Sequence, residues 1–397
     1  MPGSRTGVLA VVLATSASAS CTSPTGPAGP ADPPRAAATT TPAPLPPAPS
    51  FAASDPAGPP DTGPFRLLDC AGRHCCVARG PSHVWCWGAN DHGQLGDGST
   101  TRRERPVRVV GTRKGLRVEQ VALGKDRSYL RYDDGRLQGW GEKRTYFEAA
   151  SLQAISTTDY EDVKSLAVGD STCVQISNGD WHCWGARDAA TMVGVTNNVW
   201  FGSTTMPMKA AKAVAVGGAH SCYRGADDLV RCWGENGDGQ LGDRARGAGP
   251  VIQPIEVQGL GPAADVAVGW SHSCAALLDG RVACWGDDRG CALGGRRSSP
   301  SALVYPAITG VQHIDSVSFT CALTVDGHVA CWGGCATCCR PRVIHPLPNA
   351  LAIAVGESHA CALTVDGDVF CWGGNSDGQL GDGTTEKRVA PVKVLVE

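Results

Sequence analysis

The sequence predicts an all-β fold, a seven-bladed β-propeller, from three observations. A Trp-Gly pair recurs seven times, and the steps between successive tryptophans are 40 to 53 residues. Steps of that length are typical of four-stranded propeller blades. No unit shows sustained apolar spacing at i, i+3, i+4 and i+7, so helices are not expected to dominate. The tryptophans of these pairs are Trp87, Trp140, Trp184, Trp233, Trp285, Trp332 and Trp372.

Each unit divides into four strands. The first is short and has small side chains, as in VAVG at 266–269, which suits the crowded rim near a propeller axis. The second and third form a hairpin around a tight turn such as Asp326-Gly327, and both are apolar on two faces, as expected where blades pack together. A glycine-rich loop such as 375–383 then leads into a Pro-Val-x-Val strand such as 391–394.

The two ends of the repeat region predict how the ring closes. The first unit begins at Phe65 without a Pro-Val-x-Val strand before it, and 391–396 ends the chain with no unit after it. We therefore expect the C-terminal strand to pair into the first blade, closing the ring and leaving no unpaired edge.

Cysteines lie ten residues apart in six of the seven units. With the hairpin turn midway between them, the two should face each other at a Cα separation near the ~5.5 Å that a disulfide favours. The remaining unit has Tyr129 and Gly139 at these places, so both cysteines are absent together. We predict structural disulfides between Cys76 and Cys86, Cys173 and Cys183, Cys222 and Cys232, Cys274 and Cys284, Cys321 and Cys331, and Cys361 and Cys371.

Six further cysteines have no pairing that the sequence selects. They are Cys70, Cys75, Cys291, Cys335, Cys338 and Cys339. The last three, with His345 nearby, have the CxxC spacing of a zinc site. The alternative is a set of disulfides that pin a shortened loop, with Cys291 as one partner. It is favoured because nineteen cysteines suit an oxidising compartment.

The N-terminus supports that compartment. Residues 1–20 have the charged start, short apolar core and small-residue end of a signal peptide. Cys21 resembles the lipid-modified cysteine of bacterial lipoproteins, although Ser18 stands where these usually have leucine; an ordinary secretory cleavage site is the alternative. Residues 21–64 are rich in Pro, Ala and Thr and predict a disordered linker, and 65–397 form the propeller.

Charge and motifs exclude several functions. With 35 basic and 38 acidic side chains the net charge is −3, which gives no footprint for nucleic acid. No catalytic triad or paired-carboxylate pattern stands out, so we expect no catalytic residue, no metal and no cofactor. A histidine recurs two residues before a hairpin cysteine, and we expect it to hydrogen-bond locally in its blade rather than to form a ring of ligands. These histidines are His74, His220, His272 and His359.

The complete unit, VAVGxxHSCALxxDGxVxCWGxNxxGQLGDGTTxxxxPVxV, resembles the regulator-of-chromosome-condensation repeat over roughly 65–397. The resemblance implies a seven-bladed β-propeller. The eukaryotic founding member is a nuclear nucleotide-exchange factor that binds chromatin, a role that a secretory signal disfavours. Bacterial relatives include a secreted inhibitor of β-lactamase and surface lipoproteins with a similar Cys-Trp-Gly pattern.

We therefore expect a non-enzymatic, monomeric bacterial scaffold outside the cytoplasm, secreted or held in the envelope through lipid on Cys21. Its expected partner is a protein or a surface glycan. The candidate binding segments are 144–158, with Tyr146 and Phe147, and 187–208, with Trp200 and Phe201. These aromatics could instead fold back onto the ring. Two other functions stay open: inhibition of a secreted enzyme through one propeller face, and a hydrolase or lyase built in the loops.

Overall fold

The computed structural model describes most of the repeat region. The described residues are 63–142, 151–156, 162–185, 204–208, 210–244, 250–295, 298–305, 308–334 and 338–396. The signal peptide, Cys21 and nearly all of the linker predicted from the sequence lie outside them. Tyr146, Phe147, Trp200 and Phe201 do so too, and these expectations stay predictions.

The described chain forms seven antiparallel sheets of four strands each. Blade 1 holds β1 (Phe65–Ala71), β2 (His74–Arg79), β3 (His83–Gly88) and β4 (Arg103–Arg108). Blade 2 holds β5 (Val118–Gly124), β6 (Arg127–Tyr132), β7 (Leu137–Gly141) and β8 (Ser151–Ser156). Blade 3 holds β9 (Ser165–Val168), β10 (Ser171–Gln175), β11 (Trp181–Gly185) and β12 (Thr204–Met206). Blade 4 holds β13 (Ala213–Val216), β14 (His220–Arg224), β15 (Val230–Gly234) and β16 (Val251–Glu256).

The last three blades repeat this order. Blade 5 holds β17 (Ala263–Val268), β18 (His272–Leu277), β19 (Val282–Gly286) and β20 (Ser299–Tyr305), with a 3-10 turn at Arg289–Cys291. Blade 6 holds β21 (Val311–Ser316), β22 (Phe319–Thr324), β23 (Val329–Gly333) and β24 (Arg342–Val343). Blade 7 holds β25 (Ala350–Val355), β26 (His359–Thr364), β27 (Val369–Gly373) and β28 (Arg388–Lys393). The predicted seven-bladed propeller is confirmed.

The predicted closure by the C-terminal strand is wrong. Strand β28 pairs with β27 of its own blade, where Val392 lies opposite Cys371. Blade 1 already has a local fourth strand, because the loop after β3 returns the chain so that Val107 of β4 lies opposite Cys86. Each unit therefore completes its own sheet, and no strand is shared between blades among the described residues.

Blades 7 and 1 instead meet through side chains and loops. A buried apolar cluster combines Val77 and Trp87 of blade 1 with Leu363 and Leu380 of blade 7. The Trp87 indole N–H donates to the Gln379 carbonyl at 2.9 Å. Packing of the same kind joins other neighbouring blades, so the hydrophobic core lies between sheets rather than inside any one of them.

Cysteine pairs staple the hairpins. All six pairs that lie ten residues apart are disulfides, with Cα–Cα distances of 4.0 to 4.1 Å across strands two and three. Cys70 and Cys75 form a further bond between β1 and β2. Cys291 is bonded to Cys339 of the next blade. Cys338 is also in a disulfide, so neither it nor Cys339 offers the thiolate that the zinc alternative requires.

No helix in the described part of the chain is long and apolar enough to span a membrane.

Blade 2 allows a direct test of the staple geometry. Tyr129 lies opposite Gly139 in the register that the cysteine pairs occupy elsewhere. A Cβ added at Gly139 would come within 2.8 Å of the Tyr129 ring. Gly139→Cys alone should therefore destabilise the blade, whereas Tyr129→Cys with Gly139→Cys should form a seventh cross-strand disulfide. Non-reducing peptide mapping checks the bond.

The double variant should not exceed the parent in stability. Losing the buried Tyr129 ring costs about 3–5 kcal/mol, and a short disulfide loop returns about 2–3 kcal/mol. Free thiols in the double variant would contradict the register.

Candidate functional site: the axial channel and its mouth

The first strands of the seven blades surround an axial channel with a cavity of about 400 Å³. They approach one another closely because their side chains are small. A Cβ at Gly169, for example, would come within 2.2 Å of the Val216 carbonyl oxygen in the next blade. The small side chains of the first strands therefore produce the channel. The few large or charged side chains in it are the candidates for a functional role.

Two aspartates on the channel wall tie neighbouring blades together. Asp69 on β1 and Asp315 on β21 occupy equivalent places, each opposite the first cysteine of its hairpin. The Asp69 carboxyl group accepts the backbone N–H of Leu123 in blade 2 at 2.8 Å. The Asp315 carboxylate accepts that of Val355 in blade 7 at 2.6 Å. These carboxyl groups satisfy backbone N–H groups on the first strands of the adjoining sheets.

A third aspartate, Asp265, pairs with His313, a histidine that also lines the channel. Asp265 on β17 accepts the Ile314 N–H at 3.2 Å and lies 2.5 Å from Nδ1 of His313 on β21. Burial alone would oppose a charge on the ring, but the hydrogen bond and charge of Asp265, with the charge of Asp315, raise the pKa of His313 to about 9. His313 and Asp265 form an ion pair at neutral pH.

The two wall carboxyls titrate differently from exposed aspartates. Burial, with the nearby charge of Asp315, raises the pKa of Asp69 to about 8. Burial also raises the pKa of Asp315 to about 6, although the charge of His313 opposes the shift. Near pH 7 Asp315 is therefore mainly a carboxylate, whereas Asp69 is largely protonated.

The mouth of the channel is formed by the turns that follow the first strands. Six residues at this position line the cavity, and we call them the mouth rim: Gly72, Lys125, Asp170, Gly218, Trp270 and Glu357. The end of the ring that carries them is the mouth face, and the opposite end, with the hairpin turns, is the hairpin face. The loops after the third strands also lie at the mouth face, since Ala89 donates its N–H to the Arg73 carbonyl at 2.9 Å.

Two side chains of the rim meet above the channel. Trp270 of blade 5 is 48 % exposed. The exposed Lys125 of blade 2 extends from the far side of the ring and places Nζ 5.8 Å from the centre of the Trp270 ring. This is the outer range of a cation–π contact.

The recurring histidines act between blades, which corrects the expectation that each bonds within its own. His74 Nε2 lies 3.0 Å from Ser128 Oγ of blade 2, and His220 Nε2 lies 2.7 Å from Ser273 Oγ of blade 5. His272 contacts Ser316 and Thr320 of blade 6 in the same way. The histidines are used in structure, and burial lowers the pKa of each well below that of free histidine.

The junction of blades 7 and 1 differs in chemistry. His359 Nε2 lies 2.9 Å from Sγ of Cys75, which stands where blades 2 to 6 have a hydroxyl. The Sγ atoms of Cys75 and Cys361 are 3.6 Å apart. Cys70, Cys75, Cys361 and His359 thus gather around one point. Because all three cysteines are in disulfides, this group packs the junction and holds no free thiolate for a metal.

The sequence did not nominate Trp270, Lys125 or the channel aspartates. Trp270 lies in the run Gly-Trp-Ser-His-Ser, where the repeat places a variable residue, and a single aromatic there gives no periodic signal. A comparison of the units at that one position would have found it, because it is the only large aromatic among the rim residues.

Comparisons with known proteins agree with the geometry. A family model of the regulator of chromosome condensation (RCC1) repeat matches residues 82–130, 227–276 and 366–396. A second model of this repeat matches 211–240, 263–290 and 351–379.

Curated relatives share the repeat over part of their length. The ultraviolet-B receptor UVR8 of Arabidopsis thaliana is 25% identical over 275 residues, which is 64% of this chain and 61% of UVR8. The human E3 ubiquitin-protein ligase HERC2 is 30% identical over 248 residues, 57% of this chain and 5% of HERC2. The chain therefore spans less than two thirds of either relative.

Two solved structures share the fold. Human WBSCR16 superimposes with a TM-score of 0.69 at 20% identity, covering 80% of this chain and 94% of that one. Prp20p of Saccharomyces cerevisiae gives 0.68 at 16% identity, covering 80% and 87%.

The junction histidines predict a loss of stability in acid. In the folded protein the pKa of His220 is lowered to about 3, so the folded state stays neutral while the unfolded chain takes up a proton below about pH 6.5. The contribution of neutral His220 to stability is complete above pH 6.5 and is lost as the pH falls towards about 3, the pKa of His220 in the folded protein. His220→Gln keeps a donor for Ser273 but cannot titrate, so it should take up about one proton fewer on unfolding at pH 5.

Calorimetric unfolding in buffers of different ionisation enthalpy measures that proton number. His220→Ala is the matched control: it removes the same proton but also the donor, and should cost about 1–3 kcal/mol at pH 7. An unchanged proton number in His220→Gln would refute the assignment.

The channel groups predict a second loss of stability in base. Because the folded pKa of His313 is about 9, its contribution is complete below about pH 6.5 and disappears as pH rises through 9. Asp69 adds to the decline, since the folded state keeps its proton up to about pH 8 while the unfolded chain ionises near pH 4. His313→Gln should flatten the fall of the melting temperature between pH 7 and 9.

Asp69→Asn should flatten the profile mainly below pH 8, which separates the two groups. A pH profile that keeps the parent's slope in both variants would contradict the channel electrostatics.

Proposed function

Because the chain carries RCC1 repeats folded as a seven-bladed propeller, we propose that it is a non-enzymatic scaffold that binds a protein partner outside the cytoplasm. The RCC1-like propeller supplies a rigid ring, and binding takes place on the mouth face. We propose that the protein is bacterial and that it is either secreted or anchored to the membrane by lipid.

The disulfides are the main support for a location outside the cytoplasm. Among the described cysteines, eight intact pairings within or between blades include the six repeated staples. Bonds in this number form and persist in oxidising compartments and are rare in a reduced cytosol. Together with the sequence of residues 1–20, they favour export, and Cys21 remains our proposed site of lipid attachment.

Relatives support binding as the general activity. Prp20p has binding properties to Gsp1p and histones, and a second structure has yeast RCC1 (Prp20) bound to Kap60. Those partners belong to Prp20p. What the likeness supports for this chain is the use of a propeller surface to hold another protein.

The mouth face is favoured over the hairpin face by two features. It carries the exposed Trp270, an aromatic residue of the kind that anchors interfaces. Strands β7 and β11 also end there, at Gly141 and Gly185, and the candidate segments 144–158 and 187–208 follow those ends in the chain.

Proximity labelling on intact cells tests the proposal. The chain is fused to a labelling enzyme at its C-terminus, and labelled proteins are identified by mass spectrometry. One or a few envelope or extracellular proteins, enriched with the parent and lost with a mouth-face variant, are expected. A single stoichiometric enzyme whose activity falls on binding would make the scaffold an inhibitor.

Two controls keep the test sharp. Cys21→Ala should move the chain from the membrane fraction to the soluble fraction without changing the purified propeller's partner binding. Turnover of an envelope substrate by the purified chain alone would overturn the non-enzymatic proposal.

A further inference from the structure

The mouth rim holds an exposed indole in a fixed position. Trp270 follows Gly269 at the end of blade 5's first strand, and its backbone N–H donates to the Val317 carbonyl of blade 6 at 3.1 Å. Its side chain is nevertheless 48 % exposed. An aromatic ring that is anchored at its backbone and open to solvent can bind a ligand with little ordering cost.

An ammonium group already lies over this ring. Lys125 reaches from blade 2 and places Nζ 5.8 Å from the ring centre. The contact shows that the open face of the indole can be approached by a cation at the channel mouth. Because Lys125 is exposed and long, it can swing away at small cost.

The surroundings of the ring are acidic. Asp170 and Glu357 belong to the same rim, and Asp265 and Asp315 lie on the wall beneath it. The basic groups that line the cavity are Lys125 and His313. A concave site with more carboxylates than cations concentrates negative potential, which attracts a basic side chain and repels an acidic one.

We infer that the mouth rim binds a lysine or arginine side chain of the partner protein. That side chain stacks on Trp270 in place of Lys125 and directs its charge towards the carboxylates of the channel. The inference rests on the proposed function, because it assigns the chemistry of the partner that the scaffold holds. Lys125 then acts as an internal competitor that covers Trp270 when no partner is present.

This arrangement predicts opposite effects from two neighbouring residues. Lys125→Met removes the competitor and should tighten binding of a cationic probe about 2- to 5-fold. Trp270→Ala removes the aromatic face and should weaken it about 2- to 30-fold, the range that corresponds to one cation–π contact. Glu357→Gln should weaken it about 2- to 5-fold. An acidic ligand would reverse the first effect, because Lys125 would then be a contact.

The test uses fluorine NMR on the full chain, folded with its disulfides intact and labelled with 5-fluorotryptophan. The chain has eleven tryptophans, and the signal that disappears in Trp270→Phe identifies Trp270. Acetylated pentalysine amide is the probe and pentaglutamate is its control. We expect the Trp270 signal to shift saturably with pentalysine, more tightly in Lys125→Met, and to be unmoved by pentaglutamate. Calorimetry gives the affinity of Trp270→Ala, which has no signal to follow.

Leu278→Ala is the matched control variant. Leu278 is 60 % exposed on the hairpin face of the same blade, so its loss should leave pentalysine binding unchanged. Three results would overturn the inference: no response of Trp270 to pentalysine, weaker pentalysine binding in Lys125→Met, or a response to pentaglutamate that Lys125→Met abolishes.

The proposed function is tested separately by labelling on cells. If a partner is enriched there and its capture is unchanged by Trp270→Ala, the scaffold stands and the cationic mouth site falls. If no partner is enriched while pentalysine still moves the Trp270 signal, the site stands and the scaffold proposal falls.

Discussion

The ring depends on a pair of hydrogen bonds that converge on one backbone carbonyl between blades. In the junction of blades 1 and 2, the Gln94 carbonyl accepts the Trp140 indole N–H and the Ser128 hydroxyl, both at 2.8 Å. Because the hydroxyl proton is used there, His74 Nε2 must carry the proton that the Ser128 oxygen accepts. The junction of blades 4 and 5 repeats this arrangement at Gln240. With no strand shared between the described blades, such contacts and the apolar packing around them set the angle at which one sheet follows another.

This dependence explains why tryptophan and glycine recur together. The indole crosses to the preceding blade, where Trp87, Trp285 and Trp332 donate to carbonyls as Trp140 does. The glycine that follows has no room for a side chain: at Gly88, with φ of +104°, a Cβ would come within 2.4 Å of the Arg73 carbonyl oxygen. The disulfides have a different role. Each of the six staples links strands two and three within its own blade and does not affect the angle between blades. Blade 2 lacks a staple, yet Arg127 joins it to the Gly169 and Asp170 carbonyls of blade 3 at 3.0 Å.

Local features of the fold could be predicted from the sequence, and features that join distant residues could not. Blade number follows from the Trp-Gly period, and the staple register follows because both cysteines belong to one hairpin. The partner of β28 could not be chosen, because a strand that pairs with β27 and a strand that pairs into blade 1 have the same apolar pattern. The histidine partners were missed for a related reason: Ser128 lies 54 residues from His74, and only the assembled ring brings them together. Asp69 and Asp315 are single aspartates in different units, so no spacing identified the channel.

The channel links the integrity of the ring to its mouth. The carboxyl groups of Asp69 and Asp315 accept backbone N–H groups of the next blade, so these polar groups of the channel are held in place by the same bonds that join the sheets. Trp270 has this double role at the rim, since its N–H joins blade 5 to blade 6 while its ring faces solvent. A partner that stacks on Trp270 therefore contacts a group whose backbone cannot move without opening a junction. The mouth face is thus a preorganised surface. Little binding free energy is lost to ordering the site, so the contacts with the partner contribute almost fully to the affinity.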